Sequence, residues 1–252
     1  GFVDDIKVKF SPKARLIFMT AFLLICVKIF SIQINGIDLY FLNKIISINI
    51  FYVFFIILCF LFIINGSNLI DGFNGLLAFQ LIIINSILLF INIENELQTI
   101  SIFITAQIII LLVFLLFNFP TAKLFMGDGG AYLFGTLTAL NVIETNNLNP
   151  NTSSFFYCIL LFYLFFEVFF SFFRKLIQKK SPIKPDGEHL HMLTYKLLKI
   201  GKPTKDCNYQ NTLLINFTYC LLVFPSILLR ESGALCKYWF FSLIIFYIFT
   251  YF

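Results

Sequence analysis

Charge is scarce in this sequence. Only 12% of its 252 residues are Asp, Glu, Lys or Arg, whereas 60% are hydrophobic and 36 are Phe. That balance excludes an ordinary soluble domain and points to an integral membrane protein. Histidine is rarer still, with two residues, and none of the six cysteines forms a CxxC pair. Cys26, Cys59, Cys158, Cys207, Cys220 and Cys236 lie mostly in apolar runs and read as small core residues, which leaves neither a zinc site nor a disulfide framework. The sequence also lacks an opening Met and a signal peptide. It starts inside GFVDDIKVKFSPKARL and is expected to be the later part of a longer membrane protein.

What the sequence has in abundance is apolar runs of membrane-spanning length, about 20 residues. Eight qualify or nearly so, at about 15–34, 48–65, 73–93, 99–118, 130–144, 154–173, 212–229 and 235–252. They are continuously apolar and do not alternate, so they read as helices and not as barrel strands. The fifth is short and relatively polar, with Gly135, Thr136 and Thr138 suited to close helix packing. The expected fold is an all-α integral membrane bundle of about eight spans, forming one polytopic domain over residues 1–252.

Eight spans place the loops alternately on two sides. One side holds 1–14, 66–72, 119–129 and 174–211. With Arg15 at its edge, that side carries 14 of the 18 basic residues, which makes it the cytoplasmic one. Four unusual stretches fall there. GFVDD supplies Asp4 and Asp5. NGSNLIDGFNGL spaces Asn65, Asn68, Asp71 and Asn74 three apart, on one stripe if helical, with Gly66, Gly72 and Gly75 allowing close backbone approach or unwinding. NFPTAKLFMGDGG combines Asn118, Lys123 and Asp128. KKSPIKPDGEHLHML holds His189 and His191. Oxygen ligands with few imidazoles suit a hard cation such as Mg²⁺, bound by one or two carboxylates plus substrate phosphates, and Lys and His suit anionic oxygens. The set reads as a metal-assisted phosphate site.

Each stretch alone has an ordinary reading. An Asn or Asp beside Gly is usually turn chemistry. The basic run 174–184 reads as a topology signal and lipid-headgroup contact. Glu167, inside an apolar span, reads equally as a packed structural acid. The segment around the histidines is Lys-rich and has no apolar periodicity to bury them. What favours a site is the convergence of four stretches on one face.

In this order and with these spans between them, GFVDD…SPKARL, NGSNLIDGFNGL, NFPTAKLFMGDGGAYLFG and PDGEHLH resemble the polyprenyl-phosphate N-acetylhexosamine-1-phosphate transferases. These membrane enzymes include the phospho-MurNAc-pentapeptide translocase and the UDP-GlcNAc:undecaprenyl-phosphate GlcNAc-1-phosphate transferases. The resemblance covers nearly the whole chain, and the set carries it where no single string could. It implies about ten or eleven spans in all, a bacterial inner-membrane location, an active face in the cytoplasm, and a place in building a cell-envelope glycan. It further implies a UDP-sugar donor, a polyprenyl phosphate acceptor, and Mg²⁺, with Mn²⁺ as a second candidate. Membrane lipid is the surrounding partner, a homodimer is allowed, and no nucleic acid is expected.

By the same resemblance Asp4 and Asp5 match the family's aspartate pair, as base, nucleophile or ligand of a second metal. Asp128 matches the Mg²⁺ ligand. Asn68, Asp71, Asn74, Asn118 and Lys123 fall at substrate-binding positions, and His189 and His191 match the histidine motif. Two departures stand out: Asn74 where the family often has a second Asp, and Met192 where it often has a further His. The implied reaction is attack of a lipid monophosphate on the β-phosphorus of a UDP-sugar, with UMP leaving. The alternatives are a degenerate binding or assembly subunit and, from a different class, a divalent-cation transporter.

Overall fold

The computed structural model describes residues 11–182, 184, 186–200 and 206–252. Among these, regular structure is helical throughout. The helices are α1 (Pro12–Ile29), α2 (Tyr40–Ile46), α3 (Asn49–Ile70), α4 (Leu76–Glu94), α5 (Gln98–Asn118), α6 (Gly127–Leu148), α7 (Ser154–Leu160), α8 (Phe162–Ile177), α9 (Leu190–Ile200), α10 (Asn208–Leu229) and α11 (Gly233–Tyr251). The all-α, multi-span membrane fold expected from the apolar runs is the fold observed.

Local chemistry sets the helix starts. Ser11 launches α1, its side chain accepting the Ala14 N–H at 3.2 Å with Pro12 just inside the helix. Gly75 adopts a left-handed conformation (φ 75°) immediately before α4, a turn that a side chain would strain. Asp128 sits in the first turn of α6, where the helix dipole favours a carboxylate.

Five helices, α3, α4, α5, α10 and α11, are long and apolar enough to cross a membrane. The run at 154–173, expected as one span, is instead the pair α7 and α8, bent by 75° at Leu161, and it makes a sixth. The first and fifth expected spans appear as α1 and α6, long enough at 18 and 22 residues but more polar. On α1 the charges sit near the ends while Ile17, Phe18, Phe22 and Ile25 stay exposed along it, so its long cations can reach the interfaces. On α6 Thr138, Asn141 and Thr145 point inward.

That inward face forms a ladder. Thr138 and Thr145 of α6 meet Asn85 and Asn92 of α4 at 3.2 and 2.9 Å. The matching seven-residue steps mean that the two helices run in the same direction, two turns per rung. Asn141 spans the gap between them, donating to Asn85 and to Gln107 of α5, both at 2.9 Å. Away from water, such groups must satisfy one another. Elsewhere α3 meets α8 closely at Gly66, where a Cβ would lie 2.1 Å from the Leu164 carbonyl oxygen. Gly66 thus permits approach and leaves the helix wound.

Three loop boundaries differ from expectation. The loop placed at 66–72 is the turn 71–75, because α3 holds its helix through Gly66 to Ile70. The loop placed at 119–129 ends at Met126, since α6 begins at Gly127. The long segment 174–211 contains the last turn of α8, all of α9 and the start of α10.

Alternation of the helices brings the ends of α3, α5 and α8 together with the starts of α1, α4, α6 and α10. At the opposite end Arg230 grips Glu94 with bonds of 2.9 and 2.8 Å, and Asp38 accepts from Ser153 and Ser154.

Candidate active site

Backbone-directed amides hold the motif end together. Asn118 is buried; its Oδ1 accepts the Gly75 N–H, and its Nδ2 donates to the Leu124 carbonyl at 2.7 Å. It therefore ties the NGSNLIDGFNGL turn to the segment leading into Asp128. Asn74 donates from its Nδ2 to the Pro120 carbonyl at 2.9 Å and from its backbone N–H to Asn208 at 2.7 Å, while its carbonyl accepts from Thr212 at 2.8 Å. Expected as substrate-binding residues, Asn118 and Asn74 spend these groups joining three loops.

Asp128 lies within this frame, partly exposed. Arg15 donates to its Oδ2 at 2.8 Å and to the Tyr132 hydroxyl at 2.9 Å, and Asn68 donates to the same hydroxyl at 3.3 Å. Arg15 of α1 thus joins two of the four stretches, carried by α3 and α6. Asp71, the C-cap of α3, has its carboxyl pushed up to about 7 by burial and by the negative charge of Asp128. Lys123 is exposed on the loop before α6. Asp4 and Asp5 lie outside the described residues.

The histidine stretch folds against the same end. Phe73 packs edge-on to His191 with ring centroids 5.8 Å apart, and against Tyr195 at 5.1 Å. Asn211 donates to the His191 carbonyl at 2.9 Å. Both histidines are buried, at 5% and 0% exposure, which corrects the expectation that nothing would bury them. The reason is Glu167. His189 Nδ1 lies 3.1 Å from Glu167 Oε2, the Leu190 N–H donates to Oε1 at 3.1 Å, and the two imidazoles stack in parallel. Burial drives His191 down to about 4, with the neighbouring Glu167 charge opposing the shift.

The basic run also differs from its expected role. Arg174 and Lys175 are buried and turned inward, while Lys179 and Lys180 stay outside. Arg174 bonds Glu188 and, at 2.9 Å, Asp186; Lys175 lies 3.7 Å from Asp186. Burial opposes ionisation of Asp186, but the Glu188 N–H and the two cations hold its carboxyl below the usual range. Sequence reasoning thus missed Arg15, Tyr132, Arg174 and Lys175 as members of the site and weighed Glu167 evenly. The available signal was pairing: Asp186 and Glu188 follow Arg174 at a distance a short loop can close.

The donor chemistry at this end bears on Mg²⁺. Among the described residues no three His, Cys, Asp or Glu side chains form a closed cage. Asp71 is a half-buried carboxyl facing the charge of a second carboxylate, an arrangement that a divalent cation relieves. Mg²⁺ needs one or two carboxylates when phosphates complete its shell, so the donor set fits.

The family profile described as Glycosyl transferase family 4 matches residues 1–146. The chain belongs to that family. Its relatives include an undecaprenyl-phosphate alpha-N-acetylglucosaminyl 1-phosphate transferase of Thermotoga maritima, 32% identical over 170 residues, covering 67% of this chain and 48% of the relative. Another is a phospho-N-acetylmuramoyl-pentapeptide-transferase of Dictyoglomus turgidum, 31% identical over 210 residues, covering 79% of this chain and 66% of the relative. The chain thus spans between about half and two thirds of these family members' length. The matched region of the family profile contains Asp71 and Asp128 and stops before the histidine stretch.

Proposed function

We propose that the protein transfers a sugar-1-phosphate, of the N-acetylhexosamine class, from a UDP-sugar to a polyprenyl phosphate at the cytoplasmic face of a bacterial inner membrane. An oxygen of the lipid phosphate forms a bond to the β-phosphorus, the one bearing the sugar. The bridging P–O bond breaks, and UMP leaves with the electron pair. Such a reaction asks little covalent chemistry of the protein; positioning and charge neutralisation carry it. The second pKa of a phosphate monoester lies near 6, so the lipid phosphate is already largely dianionic at neutral pH.

The observation that carries this reading is the joining of the Asp71–Asp128 pair to Arg15 and to the histidine stretch at one end of the bundle. Asp128, with Asp71 beside it, is the holder for Mg²⁺. When bound, the ion supplies positive charge to the diphosphate oxygens and stabilises the leaving group. Arg15, already on the Asp128 carboxylate, offers a fork of N–H donors to phosphate oxygens. Asn68 and Tyr132 orient that fork. Lys123 adds an exposed cation at the rim. Asn74 and Asn118 keep the turns in register, and Asp4 and Asp5 take the aspartate-pair role that their sequence pattern implies.

The test is direct. The protein expressed from its complete gene is offered several labelled UDP-N-acetylhexosamines with undecaprenyl phosphate and Mg²⁺. Label entering the lipid with release of UMP is the expected result. No transfer from any donor, with divalent-cation flux into liposomes instead, overturns it.

A further inference from the structure

Glu167 lies in an apolar helix, is 1% exposed, and is ringed by polar partners. Its two carboxylate oxygens serve different groups. Oε1 accepts the Leu190 N–H at 3.1 Å, at the first residue of α9, and Oε2 lies 3.1 Å from His189 Nδ1. His191 Nδ1 stands 3.9 Å from Oε1 and 3.3 Å from the Tyr163 hydroxyl. Tyr163 and Tyr247 lie against the same carboxylate. Two consequences follow. A helix N-terminus ordinarily attracts anions, and at α9 a protein carboxylate takes that role, on the Leu190 N–H. The second concerns the imidazole: the partner of one ring nitrogen decides which tautomer is present and what the other nitrogen can do. With Glu167 accepting at Nδ1, the far nitrogen of His189 is directed at Asp186, 3.4 Å away, and through it at Arg174.

We propose that Glu167 is a positioning residue: its carboxylate locks the His189 ring and the start of α9, and so fixes how the histidine loop, with Asp186 and Arg174, faces the substrate phosphates. The inference rests on the phosphoryl-transfer reading above. Glu167 touches no reacting atom and acts through His189. A merely structural acid would need its shape and its bond to Leu190. The geometry asks for more, namely an acceptor with no proton of its own at His189.

Glu167→Gln separates the two. Glutamine keeps the length and one oxygen for the Leu190 N–H, but turns an N–H₂ group toward His189, so Nδ1 must accept and its proton moves to the far nitrogen. Because the chain has two histidines, imidazole ¹⁵N spectra of histidine-labelled protein in lipid resolve the change without any assay. The expected result is a protonated, hydrogen-bonded Nδ1 at His189 in the wild type that is lost in Glu167→Gln, with the melting temperature unchanged. kcat/KM for the UDP-sugar should fall by roughly 10- to 100-fold, the range typical when a carboxylate that orients a functional histidine is lost. Glu167→Asp, which keeps the charge, should recover part of that loss. A glutamine variant with the wild-type His189 spectrum, or with wild-type kcat/KM, overturns the proposal. A wild type that transfers nothing while its His189 signal still depends on Glu167 overturns the functional reading and leaves the positioning intact.

Discussion

Two buried polar networks run through this molecule, and they follow opposite plans. The ladder between α4, α5 and α6 is neutral, built from Asn, Gln and Thr, and none of its polar side-chain atoms is left without a partner. The motif end is charged and unbalanced. Asp71 is a half-buried carboxyl whose ionisation Asp128 opposes, Arg15 is shared between Asp128 and Tyr132, and His191 Nε2 and Arg174 Nε are buried without a partner among the described residues. A network closed on itself specifies helix register and leaves nothing for a ligand to complete. An unbalanced one is costly to bury and becomes favourable once an ion or phosphate arrives.

Three perturbations sharpen that contrast. The largest is Arg174→Ala, which strips the half-buried Asp186 of its guanidinium partner and leaves Lys175 as its nearest cation. We expect a loss of about 3 kcal/mol, the upper end for hydrogen bonds to charged groups, read as a lowered melting temperature in detergent. An unchanged melting temperature shows the cluster to be loosely solvated. A smaller effect comes from acid. The folded protein keeps His191 neutral down to about 4, whereas an unfolded chain protonates it near its ordinary value of 6.5. Between those values the unfolded state binds more protons, so stability should fall as pH drops from 6.5 toward 4. Melting curves across that window should flatten in His191→Gln; an equal slope in both proteins removes His191 as the cause. The smallest is Asn92→Ala, which removes one rung of the ladder. We expect about 0.6 kcal/mol and an unchanged rate of transfer, so a strong fall in rate at equal stability would give the ladder a part in the chemistry.

Much of this was legible in the sequence, but unevenly. The apolar runs gave the helices, and the parity of spans gave the convergence of the motifs, because both depend only on length and order. Asp128 announced itself as a carboxylate among glycines. Its partner did not, because Arg15 lies 113 residues away and pairing at that range leaves no local pattern. The break between α7 and α8 falls inside CILLFYLFFEVFF, where no Gly or Pro marks it, so periodicity read through it. The burial of the histidines was hidden for the same reason: Glu167, which draws His189 inward, is 22 residues upstream on another helix. Asn74 and Asn118 were placed at the site by resemblance alone; the backbone partners that each holds across the loops leave no local pattern in the sequence.

The central claim is that the unbalanced carboxylates at the motif end hold the metal for phosphoryl transfer, and Asp128→Asn tests it most directly. Asparagine keeps the shape and a hydrogen-bond acceptor for Arg15 but removes the charge. Charge on the leaving phosphate grows during reaction, so losing the ligand should affect the transition state more than the ground state. The measurement is UMP release from the UDP-sugar at several Mg²⁺ concentrations, in the protein from its complete gene, wild type beside variant. The account predicts a loss of roughly 10²-fold or more, with expression and membrane insertion unchanged. A variant with the wild-type rate and the wild-type dependence on Mg²⁺ would contradict it and return Asp128 to the role of a helix-start residue.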